Sequence, residues 1–275
     1  MSSAELKSVE SSARVSKTAW SPHFLIRTGR LTLGVGLLAC WYVSWYVLGP
    51  FAMASPWEVV LRIVSLARSG VLLVDTAVTM YTSVVGFLIG ATFGILAPVL
   101  LIQSKRLAAA IEPYVLMSMG IPIFAMAPLL VLWFGINLTP KIILTAVTVF
   151  YIVYIATMSG LRAIDGRLIS MARILGAGKT QIASEISWKS IQPFLFAGFR
   201  VAVPRAIGAT IVGEFLVANR GIGSYIENAR QQADVVGVFA GIVIVTVLVL
   251  GIDIILERVY ARALKWRMVD PQMVT

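Results

Sequence analysis

Side chains able to carry chemistry are sparse in this sequence, and the one tripeptide that suggests a reaction is Gly178-Lys179-Thr180. A glycine, a lysine and a hydroxyl in that order end the loop that cradles nucleotide phosphates. That loop also needs a glycine five positions before the Gly-Lys pair and a buried strand leading into it. Arg173 stands at that position, and a charged amphipathic segment precedes the tripeptide. His23 is the single histidine and Cys40 the single cysteine. Neither a histidine-based metal site nor a nucleophile–base triad nor an intrachain disulfide can be assembled from them. Arg205 is different, because it lies inside an apolar run beside Pro204. Counted from Phe194 it sits about 16 Å along a helix, roughly half of a 30 Å hydrocarbon core. A charge at that depth costs about 3 kcal/mol or more, so it should face a polar cavity or a partner. No catalytic residue, no metal and no enzymatic activity is expected of such a set.

Composition says what must position these residues. Of 275 residues, 59% are hydrophobic and 13% charged, with a mean hydropathy of +0.89. Those values describe an all-α polytopic membrane protein. The net charge is +10, and in a membrane protein its placement matters more than its sum. Lys7, Arg14, Lys17, Arg27 and Arg30 precede the first apolar run, and Lys105, Arg106, Arg258, Arg262, Lys265 and Arg267 fall on the same side in the alternation. That asymmetry predicts cytoplasmic N- and C-termini. Anionic membrane lipid accounts for the basic excess, and no nucleic acid is needed.

About six spans are expected. Residues 1–24 read as a cytoplasmic tail, and 25–75 as the first span, about Leu31 to Leu48, followed by an outer loop. Ser55-Pro56 is a helix-start pattern for a short surface helix there. The second span, about Thr76 to Ile102, carries Gly86, Gly90 and Gly94 at every fourth residue, a seam for close helix approach. The third, about Ile111 to Trp133, holds Pro122 and Pro128, each expected to kink it toward protein or a water-filled cavity. Asn137 to Lys141 reads as an outer turn, and the fourth span as about Ile142 to Leu161. The fifth covers about Phe194 to Leu216, with Glu214 near its outer end, and the sixth about Val236 to Leu256. A short cytoplasmic tail, 261–275, completes the chain.

Between the fourth and fifth spans lies the longest charged interruption of the C-terminal half, Ser170 to Pro193. Met171, Ile174 and Leu175, then Ile182 and Ile186, keep helical spacing. Gly176-Ala177-Gly178 separates them, with glycines suited to a helix end. Two short helices meeting at an elbow are expected.

This loop resembles the EAA loop of ABC transporter permeases, the membrane subunits of binding-protein-dependent bacterial importers. Ala172, Arg173, Leu175, Gly176, Ala177, Gln181, Ile186 and Pro193 match that pattern in register. Ser170 and Met171 stand where Glu and the first Ala are usual, and Trp188-Lys189 where Leu-Pro is usual. The run Pro122 to Gly135 also resembles the branch that imports nitrate, sulfonates and taurine. The resemblance implies a type I importer permease core over 76–260, with a coupling loop at 165–193. It implies a bacterial inner-membrane location and no cofactor bound by this chain, ATP and Mg being held on partner subunits. Those partners would be two ATP-binding cassette ATPases, a second permease (a homodimer) and a periplasmic or lipid-anchored solute-binding protein. ATPase coupling then falls to Ala172, Arg173, Leu175, Gly176, Ala177, Gln181 and Ile186. The solute, a small anion such as nitrate, a sulfonate or taurine, would pass along Pro122, Met126, Pro128 and Arg205; the alternative for Arg205 is a structural one, bonded to backbone carbonyls at a helix kink. Docking of the solute-binding protein falls to Glu58, Arg62, Arg220, Gly221 and Gly223, the last three in a segment that resembles the family's Gly-x-Gly after the fifth span. A secondary carrier without an ATPase is the alternative, one that ionophores would affect.

Overall fold

The computed structural model describes residues 22–216 and 220–263. The N-terminal tail up to Ser21, Val217, Ala218 and Asn219 of the second outer loop, and the C-terminal tail from Leu264 lie outside the described residues. Every described element is helical. In order these are α1 (Pro22–Leu48), α2 (Pro56–Arg68), α3 (Val71–Leu101), α4 (Lys105–Ser118), a 3-10 turn (Ile123–Met126), α5 (Ala127–Phe134), α6 (Thr139–Arg162), α7 (Gly166–Ile174), α8 (Lys179–Leu216), α9 (Ile222–Gln231) and α10 (Val235–Ala263).

The chain divides into two compact units, Met1–Pro56 and Trp57–Thr275. In the first, α1 ends at a left-handed Gly49, and the Trp41 indole donates to the Ala54 carbonyl at 3.0 Å. The helices from α2 onward belong to the second unit. By length and composition α3, α6, α8 and α10 are each long and apolar enough to cross a membrane, and the α4–α5 pair makes one more, bent by 78°. The apolar part of α1, Thr32–Leu48, is at the short end of the spanning range.

Three helices form the centre, with α6 packed between α3 and α8. The glycine seam explains how closely they approach. A Cβ on Gly86 would lie 2.6 Å from Thr145, one on Gly90 would strike the Ala146 carbonyl, and one on Gly94 would lie 2.8 Å from Val153. The other face of α6 repeats the device, since Gly198 of α8 sits against Ala156. Val149, Val153, Leu195, Ala202 and Ala206 fill the resulting core.

Several expected boundaries move. The third span is not one kinked helix. Pro122 adopts an extended conformation (φ −65°, ψ 96°) and separates α4 from the 3-10 turn. Pro128 does not kink anything either, because it occupies the first turn of α5, where its missing N–H is no loss. The second span starts earlier, at Val71, after a left-handed Gly70. Lys141 belongs to the first turn of α6 and is fully buried rather than part of an outer turn.

Candidate functional site

The elbow begins with α7, whose N-terminus is capped by Asp165, its carboxylate accepting from Arg167 N–H at 2.8 Å. It ends in a Schellman turn. Gly176 is left-handed (φ 84°), Ala177 N–H donates to the Ala172 carbonyl at 2.9 Å, and Gly176 N–H to the Arg173 carbonyl at 3.0 Å. The second elbow helix is not separate. It is the beginning of α8, which continues without a break from Lys179 through a π-helical stretch at Ile182–Trp188. One apolar-spaced segment thus serves both as the elbow's second arm and as the foot of the fifth span.

Between the two arms lies a groove of about 280 Å³. Ala172, Leu175, Gly176, Ala177, Gln181 and Ile186 line it, joined by Ile182 and Glu185. Of the predicted coupling residues only Arg173 stays outside that lining. Met171, Ile174 and Leu175 are large apolar side chains left exposed around it, Ile174 and Leu175 at more than 80%. An elbow this apolar, with a groove at its hinge, presents a surface to be covered. Glu185 pairs with Lys189 one helical turn on, so the groove contains a carboxylate although the segment's first position is Ser170.

Arg205 faces a second cavity, a cleft of about 570 Å³ between α6, α8 and the broken α4–α5 segment. Met119, Phe124, Thr148, Tyr151 and Pro204 are among its walls. The Arg205 side chain makes no hydrogen bond or ion pair among the described residues, so it is not tied to backbone carbonyls near Pro204 inside α8. Pro122, Met126 and Pro128, predicted with it, do not line the cleft. Their neighbours Ile121, Ile123 and Phe124 do, because the break at Pro122 turns the flanking residues inward. Tyr151 is held at the rim by its hydroxyl, which donates to Ser118 Oγ at 2.9 Å.

At the far end of α8 the structure assembles a polar cluster that sequence reasoning missed. Glu214, fully buried, accepts from Thr79 Oγ1 at 3.0 Å and from Gly223 N–H at 2.8 Å. Thr79 in turn accepts from Ile222 N–H at 2.9 Å, and Asp75 from Gly221 N–H at 3.2 Å. Three otherwise orphaned donors of the first turn of α9 are thereby satisfied, two of them by carboxylates placed where the helix dipole favours them. Buried Lys141 reaches the Arg220 carbonyl at 3.1 Å. Gly221 and Gly223 are therefore buried, whereas Glu58 is exposed and Arg62 half-buried in an ion pair with Asp234 at 2.8 Å. The available signal was that Asp75, Lys141 and Glu214 each interrupt the edge of an apolar run.

Comparison with known proteins agrees with this arrangement. The family described as binding-protein-dependent transport system inner membrane component matches residues 86–265. The chain is 32% identical to a putative aliphatic sulfonates transport permease protein of Bacillus subtilis, covering 85% of this chain and 87% of that protein. It is 32% identical to a formylaminopyrimidine transport permease protein of Halalkalibacterium halodurans (84% and 92%) and 31% identical to the Escherichia coli counterpart of the sulfonate permease (78% and 82%). In fold it resembles a chain of the MetNI methionine ABC transporter in an inward-facing conformation, with a TM-score of 0.55 and 21% identity over 69% of this chain and 92% of that one. Nothing in these likenesses supports a carrier that works without an ATPase. The chain belongs to the family of binding-protein-dependent transport system inner membrane components: it is a multi-pass permease subunit of an ABC importer, working with ATP-binding subunits and a solute-binding protein.

Proposed function

We propose that two copies of this chain form the path for a small anionic solute, a sulfonate, taurine, nitrate or a similar anion. The observation that carries this reading is Arg205, an unpaired cation directed into a cleft of about 570 Å³ at mid-span. Clefts of that size suit small ligands, and a guanidinium binds a planar or tetrahedral oxyanion through paired donors. Two relatives carry the name putative aliphatic sulfonates transport permease protein, which points to the same solute class.

In this reading one ATPase subunit docks on each elbow groove, at Ala172, Leu175, Gly176, Ala177, Gln181 and Ile186, with Arg173 on its border. ATP and Mg stay on those subunits. Closure of the ATPase pair displaces the elbow, the spans rock, and solute delivered by the binding protein at Glu58, Arg62 and Arg220 enters the cleft. Both termini face the cytoplasm of a bacterial inner membrane.

Uptake of labelled taurine or an alkanesulfonate tests the solute claim. Arg205→Gln lowers uptake roughly tenfold or more, as expected when one charge-assisted contact is lost, and Arg205→Lys retains part of it. Unchanged uptake by a folded Arg205→Gln transporter would overturn the anion reading. For the elbow, Gly176→Asp forces a charged side chain into a left-handed turn. Affinity purification then recovers the permease without its ATPase; a stoichiometric ATPase in that preparation would refute the docking assignment.

A further inference from the structure

Away from the cleft, α3, α8 and α10 leave an open seam. The last of these helices packs on α9 and, less extensively, on α8, so its side toward α3 is poorly covered. Two adjoining cavities occupy that seam and share Phe87, Val203 and Leu256. The one nearer the elbow, about 170 Å³, has an aromatic wall of Phe196, Phe199 and Tyr260. Its rings interlock edge to face: Phe196 with Tyr260 at 5.3 Å and Phe87 with Phe199 at 5.5 Å between centroids. The deeper one, about 190 Å³, presents only apolar surface, since the hydroxyl of Ser83 is turned away to Thr210 at 2.9 Å. From Phe196 to Ile207 the pair runs about 16 Å along α8, a length suited to an acyl chain.

Two charges make this groove more than an unfilled apolar face. Arg200 and Glu257 both lie on the wall of the cavity nearer the elbow and are exposed, yet neither forms an ion pair or hydrogen bond among the described residues. Glu257 opens the charged end of this apolar run, with Arg258 and Arg262 following it, the kind of boundary at which head groups meet hydrocarbon. Tyr260, one turn on, is of the residue type that collects at that level. One cation and one anion at the polar end of an apolar channel complement a head group carrying both signs.

We propose that this groove binds one phospholipid with a zwitterionic, primary-ammonium head group. Its phosphate sits on Arg200, its ammonium on Glu257, and one acyl chain runs along Phe196 and Phe199 toward Ile207 and Ile252. The lipid acts as a packing element, filling the gap that α10 leaves against α3.

The assembled transporter, extracted in mild detergent and examined by native mass spectrometry, tests this. The probes are vesicles of phosphatidylethanolamine, phosphatidylcholine or phosphatidylglycerol supplied before extraction. One phosphatidylethanolamine is expected to remain per permease chain. Glu257→Gln should lower its retention roughly tenfold, the loss of one charge-assisted contact, and leave phosphatidylglycerol unaffected. Arg200→Gln should lower the retention of both. Leu256→Trp, which fills the channel from its middle, should abolish retention while ATPase co-purification persists. Equal retention by wild type and both charge variants would overturn the proposal, as would equal retention of phosphatidylcholine. So would efficient cross-linking of Leu256→Cys, in a Cys40→Ser background, to a neighbouring protein chain.

Discussion

Gly221 is the residue whose identity is most tightly dictated. Its φ of 120° lies where side chains are disfavoured, and a Cβ there would collide with the Glu214 carboxylate. Gly221→Ala should therefore destabilise the protein by about 2 kcal/mol or more, read as a lowered melting temperature in detergent. A second residue-scale expectation concerns Glu227 on α9, outside the spans. Hydrogen bonds from Arg230 and Gln231 hold its carboxyl down from the ordinary 4.5 to about 2. A carboxyl depressed in the fold contributes stability that is complete above 4.5 and is lost as pH falls toward 2. Acid-melting profiles of the wild type and Glu227→Gln should then diverge at neutral pH and converge across that window. Profiles separated equally at pH 2.5 and pH 6 would show that the pairing does not act on stability.

At the scale of elements, the α3–α6 seam offers an internal control. Gly90→Ala drives a methyl into the Ala146 carbonyl, an overpacking cost of about 1–3 kcal/mol. Gly251→Ala on α10 meets nothing within 4 Å and should stabilise by about 0.5–1 kcal/mol through helix propensity alone. Thermal melts of the two variants must move in opposite directions if the seam is as close as described. This seam was legible in the sequence, because three small residues at every fourth position have one helical interpretation. The α7 end at Gly176 was legible for a similar reason. Two other features were not. A proline within an apolar run reads the same whether it kinks a helix, separates two, or opens one, and only the backbone angles distinguish Pro122 from Pro128. Lys141 and Glu214 stand where interfacial charges ordinarily stand. Their burial depends on Arg220 and Gly223 folding back across α6 and α8, which no local pattern encodes.

For the molecule as a whole, the two ends of the bundle carry different surfaces. One bears α7 and the elbow groove, the other α2 and α9. Single cysteines in a Cys40→Ser background give the orientation directly. Arg167→Cys should react with an impermeant maleimide only in inverted vesicles, and Asn228→Cys only in intact spheroplasts. The opposite labelling would reverse the assignment of sides and remove the elbow from reach of any cytoplasmic ATPase. Bundle architecture could be read in advance from hydropathy. The cavities could not, since their walls come from residues far apart in sequence, such as Met119 with Val212 or Phe87 with Tyr260.

From Lys179 to Leu216, α8 is a single rod of 38 residues, about 57 Å at 1.5 Å per residue and nearly twice the thickness of the hydrocarbon it crosses. Its foot is one wall of the elbow groove, its middle carries Arg205, and its head carries Glu214 with the buried clasp on α9. Three stations on one beam cannot move independently. A tilt imposed at the foot is delivered to the middle and the head at once, apart from what the π-helical stretch, Pro193 and Pro204 absorb as compliant joints. Stiffening any of these joints or softening the beam elsewhere should change how faithfully motion at one membrane face is registered at the other, with no contact at either face altered.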